Sequence, residues 1–223
     1  YVHETERLVR AVEQTGTTLQ VGLNRRFYTS IQAGRAAILA TGPVLTINVD
    51  ASEDGAHIWT DPRLVLASRK RRIFTNSIHP LDLLRYFGGD VREVVSFVDR
   101  YVHPAPDCFT AWIKFQSGAT GRAAVDHFAT RGGNWGFQVR TAEATLTSYD
   151  GYLRVVFERR GKEPVEFGLT GDDLRFKPGF PGETRAFLDL VRTGGQPRFP
   201  AVSIQDALLT MRLIDSIAQS PAP

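Results

Sequence analysis

Between Val91 and Leu169 the chain reads as seven apolar, β-rich runs, at 92–102, 108–116, 120–128, 135–141, 144–149, 152–158 and 163–169. Turn-forming residues separate them: Pro104-Ala-Pro106, Ser117-Gly118, Arg131-Gly-Gly133, Asp150-Gly151 and Arg160-Gly161. Connections this short favour an antiparallel meander, because parallel neighbours need crossovers of a dozen or more residues. The expected fold is therefore α+β, with a large, mostly antiparallel open β-sheet covered on one face by helices. Val44–Ala51 reads as a further strand, and Ser52 to about Asn76 as a long irregular stretch.

Helical periodicity predicts the covering layer. One helix falls near 30–40 and closes at Thr41-Gly42-Pro43; another runs from His79-Pro80 to Gly88-Gly89. A third spans Gly182–Thr193, with Phe187, Leu190 and Val191 on one face and a stop at Gly194-Gly195. The last opens at Ser203, with Asp206 completing a capping-box-like start, and runs to about Gln219. The opposite sheet face, with Trp112 and Val125 as apolar positions, is a candidate oligomer surface; cover by loops, or a half-polar face, is the alternative.

The first residues read differently. Residues 1–15 carry Leu8, Val9 and Val12 at helical spacing and stop at Gly16, and Thr18–Leu23 is a short β-branched strand ending in Asn24-Arg25-Arg26-Phe27. Helix, Gly and short apolar strand form the second half of a βαβ unit, which needs parallel neighbours. The expectation is that the sequence starts inside a parallel α/β domain, consistent with its lack of an initiator Met.

Composition narrows the class. The 223 residues are 42% hydrophobic and 23% charged, as in globular proteins rather than disordered ones. No apolar run reaches the roughly 18–20 residues that cross a bilayer, so no membrane partner is expected. A single cysteine, Cys108, excludes an internal disulfide framework and a cysteine metal cluster, and fits a cytoplasmic setting. The dispersed histidines suggest no metal site. The net charge of +3 is small, and its one dense run, Arg69-Lys70-Arg71-Arg72, lacks interleaved aromatics. A solvated loop face is the expectation there, not nucleic-acid binding.

The most specific local pattern is Thr75-Asn76-Ser77-Ile78-His79-Pro80-Leu81-Asp82. His79 stands at a helix start, where the positive end of the helix dipole keeps an imidazole neutral and able to accept a proton. Asp82, one turn on, is placed to orient the ring or accept a substrate hydroxyl, and Asn76 suits a hydroxyl-rich ligand. The same residues also suit a purely local role, with Asn76 or Ser77 capping the helix and Asp82 complementing its dipole. Asn24-Arg25-Arg26 at the carboxyl end of a strand is a second ligand-facing position, or else a solvated turn with two surface arginines.

Val21-Gly-Leu-Asn24-Arg25-Arg26-Phe27, then Asn76-Ser-Ile-His79-Pro-Leu-Asp82-Leu-Leu-Arg-Tyr86, resemble two landmarks of the Gfo/Idh/MocA oxidoreductases. Glu183-Thr-Arg-Ala-Phe187-Leu-Asp-Leu-Val191, followed by Pro200 and Asp206-Ala207, resembles the family's ending, and the order runs through essentially the whole chain. The resemblance implies two parts: residues 1–27 as a remnant of a dinucleotide-binding Rossmann domain, and residues 28–223 as a substrate-binding and oligomerisation domain. It implies an NAD(P)-dependent dehydrogenase acting on a carbinol carbon of a sugar, inositol or related polyol, assembled as a homo-dimer or homo-tetramer through the open sheet face. It makes His79 the proton-transfer group and places Asn76, Asp82, Arg26 and Trp59 toward substrate and Asn24 toward NAD or NADP. The sequence departs from the family where many members carry Asp, at Thr75, and these residues hold neither the family's Glu-Lys-Pro lysine nor a Gly-rich phosphate turn. The 223 residues alone are thus expected to be inactive. The reading from another class is a stand-alone, non-catalytic binding or assembly module derived from this domain.

Overall fold

The computed structural model describes residues 1–130 and 135–219; the turn read at Arg131–Gly133 lies outside them. In chain order the elements are α1 (Val2–Thr15), a 3₁₀ turn (Asn24–Phe27), α2 (Thr29–Leu39), β1 (Thr46–Asp50), α3 (Ala56–Thr60), α4 (Leu66–Lys70), α5 (Arg72–Thr75) and α6 (Ile78–Gly88). Then follow β2 (Val91–Asp99), β3 (Cys108–Phe115), β4 (Thr120–Asp126), β5 (Gly136–Arg140), β6 (Ala144–Tyr149), β7 (Arg154–Arg159), β8 (Val165–Gly168), α7 (Phe180–Thr193) and α8 (Ile204–Ala218).

Among the described residues the strands form one eight-stranded sheet in the order β2-β3-β4-β1-β5-β6-β7-β8. All pairings are antiparallel except that of β1 with β4, where Thr46 faces Thr120 in parallel register. The expected meander is thus split in the middle by β1, which separates β4 from β5.

Period-two alternation decides which face is buried. Phe109, Ala111, Ile113 and Phe115 of β3, Ala123 and Val125 of β4, Phe137 and Val139 of β5 and Leu146 of β6 all point to one side and are buried. On that side α8 lies over β2 and β3, α6 over β1, β4 and β5, and α2 over β6 to β8. Gly88 at the end of α6 leaves room for Phe115: a Cβ there would stand 2.8 Å from the Phe115 ring. Val125 belongs to this core, so its expected place on the open face is corrected, whereas Trp112 faces out at 52% exposure beside Val95 and Phe97.

Two sequence expectations change form. Thr18–Leu23 makes no strand: only Val21 is paired, in one antiparallel bridge to Val202, and no parallel neighbour is present among the described residues to continue a ladder. The stretch from Ser52 to Asn76 is not irregular but folds into α3, α4 and α5. Arginines tie it together, which also corrects the reading of 69–72 as a solvated face. Arg69 donates to the carbonyls of Trp59, Asp61 and Leu64, while Arg72 pairs with Glu53 at 2.6 Å. Arg71 packs over the Tyr1 ring. The capping start at Ser203 is present, with Ser203 Oγ accepting from Asp206 N at 3.1 Å.

Candidate active site

The 3₁₀ turn at Asn24–Phe27 sends its two arginines to opposite fates. Arg26 goes inward, donating from Nε and Nη2 to the two oxygens of Asp82 at 2.6 and 2.7 Å, and from Nη1 to Asp206 at 2.7 Å. Thr210 donates to Asp82 as well, and Arg85 donates to Asp206. Both Arg26 and Asp82 are almost fully buried. Burial alone would lower the Arg26 pKa, but the Asp82 carboxylate raises it beyond its ordinary value. The Asp82 carboxylate expected beside the imidazole is therefore committed to Arg26 and Thr210, and three of the five N–H donors of Arg26 are spent on carboxylates. Their role here is to lock the 3₁₀ turn, α6 and α8 to one another.

His79 is the second residue of α6, inside its first turn rather than immediately before the helix; Ser77 is the N-cap. The ring is half-buried and its Nδ1 is buried with no hydrogen-bond partner among the described residues. Burial drives its pKa down to about 4, helped by the positive charges of Arg25 and Lys177 and opposed by Asp82. At neutral pH the ring is thus uncharged and has an open acceptor or donor position.

Arg25 stays at the site. Its guanidinium lies 5.4 Å from the ring centroids of both Tyr28 and Trp135, and its Nη1 donates to Asn24 Oδ1 at 2.8 Å. Asn24 in turn donates to the Pro178 carbonyl at 3.0 Å, so both ends of the amide expected to face a cofactor are occupied by the protein. Gly179 makes this approach possible: at φ +79° it brings the chain so near that a Cβ would stand 2.1 Å from the Asn24 carbonyl oxygen. Asp173 pins the same corner by accepting from Gly179 N and Thr29 N, each at 2.8 Å.

That corner starts α7 and delivers Glu183, a residue the sequence reading did not single out. Glu183 is half-buried, its Oε1 is unpartnered, and burial pushes its carboxyl up to about 7 against the pull of Arg25. Arg25, His79 and Glu183 are therefore electrostatically linked, although the only sequence signal for Glu183 is its place in the first turn of a helix.

A second missed residue, Glu53, organises the approach to His79. This buried carboxylate accepts from Arg72, from Asn76 Nδ2 at 2.5 Å and from Ser77 Oγ at 3.0 Å. Ser77 Oγ also lies 3.3 Å from His127 Nε2. Asn76, expected to meet a hydroxyl-rich ligand, thus has its amide nitrogen on Glu53. Trp59 stacks on His103 at 5.4 Å, on the α3 side of this network. Thr75 is exposed and its hydroxyl turns back to the carbonyls of Arg71 and Arg72. No group of His, Cys, Asp and Glu suited to a metal occurs among the described residues.

The linked groups predict an unusual pH dependence of stability. Holding His79 neutral favours the folded state fully above its ordinary pKa of 6.5, and this is lost as pH falls toward about 4. Glu183 acts in the opposite sense: its contribution is complete below its ordinary 4.5 and is lost as pH rises through about 7. Thermal midpoints against pH should show His79→Gln flattening the acid limb and Glu183→Gln the neutral one. An unchanged slope between about pH 5 and pH 8 in Glu183→Gln contradicts this assignment.

Residues 40–147 match the family model described as GFO/IDH/MocA C-terminal domain. A search of curated proteins found no match. Among solved structures, an NADPH-dependent oxidoreductase from Desulfitobacterium hafniense is similar over 98% of this chain and 66% of its own, at TM-score 0.81 and 15% identity. An oxidoreductase from Agrobacterium radiobacter, in complex with NAD+, L-tartaric acid and magnesium, is similar over 96% of this chain and 66% of its own, at TM-score 0.73 and 19% identity. UDP-N-acetylglucosamine 3-dehydrogenase from Acidithiobacillus ferrooxidans is similar over 98% and 66%, at TM-score 0.77 and 16% identity. The chain spans about two thirds of the length of these structures. Residues 40–147, which hold β1 to β5, α6 and most of β6, thus match the C-terminal-domain model of the Gfo/Idh/MocA oxidoreductases, and the fold is shared with these structures over nearly the whole chain.

Proposed function

We propose that this chain is the substrate-side part of an NAD(P)-dependent dehydrogenase that oxidises or reduces a carbinol carbon of a sugar or polyol. The observation that carries the reading is His79: a neutral, half-buried imidazole in the first turn of α6 with its Nδ1 unpartnered. The similar structures, named as NAD+- or NADPH-linked oxidoreductases and a sugar-nucleotide dehydrogenase, support the cofactor and substrate class.

No Gly-rich turn of the G-x-G-x-x-G type occurs in the sequence, and residues 17–23 make only the one bridge. Bound nicotinamide supplies the hydride chemistry, and this chain's contribution is the proton. In the oxidation direction His79 takes the hydroxyl proton as the C–O bond gains double-bond character; in reduction it returns it. Asn76 and Trp59 border the approach and contribute substrate contacts, while Arg26, Asp82 and Asn24 act by holding the 3₁₀ turn in place.

The test is turnover by the full-length protein with a panel of sugars and polyols and with each nicotinamide cofactor. His79→Ala should lower kcat by about 10²–10⁴ with a smaller change in KM, as loss of a general acid–base does. A kcat within threefold of wild type removes His79 from the chemistry. A second reading, a non-catalytic binding module, is favoured by one observation: among the described residues no carboxylate hydrogen-bonds His79. Sugar binding without turnover on any pairing supports it.

The open sheet face supports self-association, since Val95, Phe97 and Trp112 are exposed on neighbouring strands. Trp112→Glu should shift the sedimentation coefficient to that of a monomer; an unchanged coefficient counts against assembly through this face.

A further inference from the structure

Arg25 differs from Arg26, Arg69, Arg72 and Arg85 in where its guanidinium ends. Arg26 and Arg72 end on carboxylates, Arg85 on Asp206 and Asp90, and Arg69 on three backbone carbonyls. Arg25 forms no ion pair among the described residues, where its one side-chain hydrogen bond is that of Nη1 to Asn24. Its Nε is buried and has no partner among the described residues.

The side chain is nevertheless held. Tyr28 and Trp135 lie 5.4 Å from the guanidinium carbon, and Asn24 fixes the Nη1 corner while itself anchored on Pro178. The Nε–Nη2 edge is left, and this is the edge that grips an oxyanion through two parallel N–H donors. The nearby Glu183 carboxyl acts on Arg25 electrostatically but makes no ion pair with it, and its own burial pushes it toward the neutral form, so a part-buried guanidinium here is costly unless a ligand supplies the charge. Lys177 adds a second positive charge at His79. The larger cavities, of about 420 Å³ beside Gly194–Ala201 and about 400 Å³ beside Thr141–Pro164, are lined by none of these residues.

We propose that the Nε–Nη2 edge of Arg25 binds an oxyanion borne by the substrate itself, so that the polyol presented to His79 is a sugar acid or sugar phosphate rather than a neutral sugar. This rests on the reading of His79 as the proton-transfer group. It also couples recognition to chemistry. The charged groups acting on His79 are Arg25, Lys177 and Asp82, two positive and one negative. An anion seated on Arg25 offsets the first of these and makes the imidazole a stronger base only when substrate is in place.

The test titrates the chain with D-glucuronate, D-glucose 6-phosphate, D-glucose and inorganic phosphate, reading Trp135 fluorescence and the His79 ring resonances by NMR. The expected result is that one of the two anionic sugars binds at least about tenfold more tightly than glucose and than inorganic phosphate, as expected for a charge-assisted bidentate contact. Which of the two binds more tightly distinguishes a carboxylate from a phosphate. The same ligand should raise the His79 pKa.

Arg25→Met, which keeps the stem between the rings, should abolish both the preference and the pKa response. Arg25→Lys, a second variant that keeps the charge, should retain part of the preference. Equal affinity for charged and neutral sugars, binding no better than that of inorganic phosphate, absence of binding, or an unaltered preference in a folded Arg25→Met overturns the proposal. The two readings fail separately. Turnover that survives His79→Ala while Arg25→Met loses the anionic ligand removes the base and keeps the anion site. Turnover lost in His79→Ala, with equal kcat/KM for charged and neutral sugars, does the reverse.

Discussion

Arg26→Ala should lower the thermal midpoint by roughly 6–20 °C, the largest stability loss expected of any single substitution near the site. Removing one partner of a buried ion pair costs about 3–5 kcal/mol, and about 1 kcal/mol moves the midpoint by roughly 2–4 °C in a chain of this size. The cost concentrates on Asp82, whose side chain is 1% exposed and would keep only the Thr210 hydroxyl. Asp206 is better protected, because it is partly exposed and retains Arg85. Arg26→Met should not rescue the loss, since restoring volume leaves the Asp82 charge unpaired. Removing both charges, Arg26→Met with Asp82→Leu, should recover most of it. The pH response points the same way. Burial works against the Asp206 carboxyl, but Arg26 and Arg85 hold it below its ordinary value, so its contribution is present above about pH 4 and is lost as pH falls further. A loss below about 1 kcal/mol by thermal or denaturant unfolding of Arg26→Ala would falsify the view of this pair as the clamp between the 3₁₀ turn and α6.

Glu53→Ala is expected to have the second-largest effect, about 2–4 kcal/mol, and to act on the site as well as on stability. The substitution strips acceptors from Asn76, Ser77 and Arg72 at once, and the first two lead directly into α6. Arg72 can recover water, because it is partly exposed; Ser77 cannot, because it is fully buried. Hydrogen exchange should therefore accelerate in the first turn of α6 before it does in β3 or β4. Glu53→Gln keeps the shape and one acceptor and should lose about half as much. His127 shares the cluster, and burial, with Arg72, lowers its pKa, so the cluster loosens further as pH drops below the ordinary 6.5. Equal exchange rates at Ile78–Leu81 in wild type and Glu53→Ala would show that the carboxylate does not position His79.

Much of the fold was legible because it rests on local periodicity. The alternation that buries Phe109, Ala111, Ile113 and Phe115 is written in consecutive residues, and so are the Ser203 cap and the glycines that end α6 and α7. The insertion of β1 between β4 and β5 was not legible. Thr46 meets Thr120 on one side and Arg140 on the other, and nothing in the Val44–Ala51 pattern names either partner. The α3–α5 segment was misread as irregular because backbone carbonyls satisfied by Arg69 hold it, not an apolar stripe. Thr18–Leu23 has strand composition, but among the described residues it meets only Val202.

The sequence by itself determined the strands of the sheet and the long helices that cover it, that they build one large covered sheet, and that His79 stands at a helix start. Each follows from spacing within one element. Tertiary structure alone decided what the site residues do. Arg25 and Arg26 are the same residue type at adjacent positions, yet Arg26 is neutralised by Asp82 and Asp206, 56 and 180 residues away in sequence, and Arg25 is held between Tyr28 and Trp135 with no ion pair among the described residues. A charge takes its meaning from the partners and the burial that folding brings to it, and neither is a property of the neighbouring sequence.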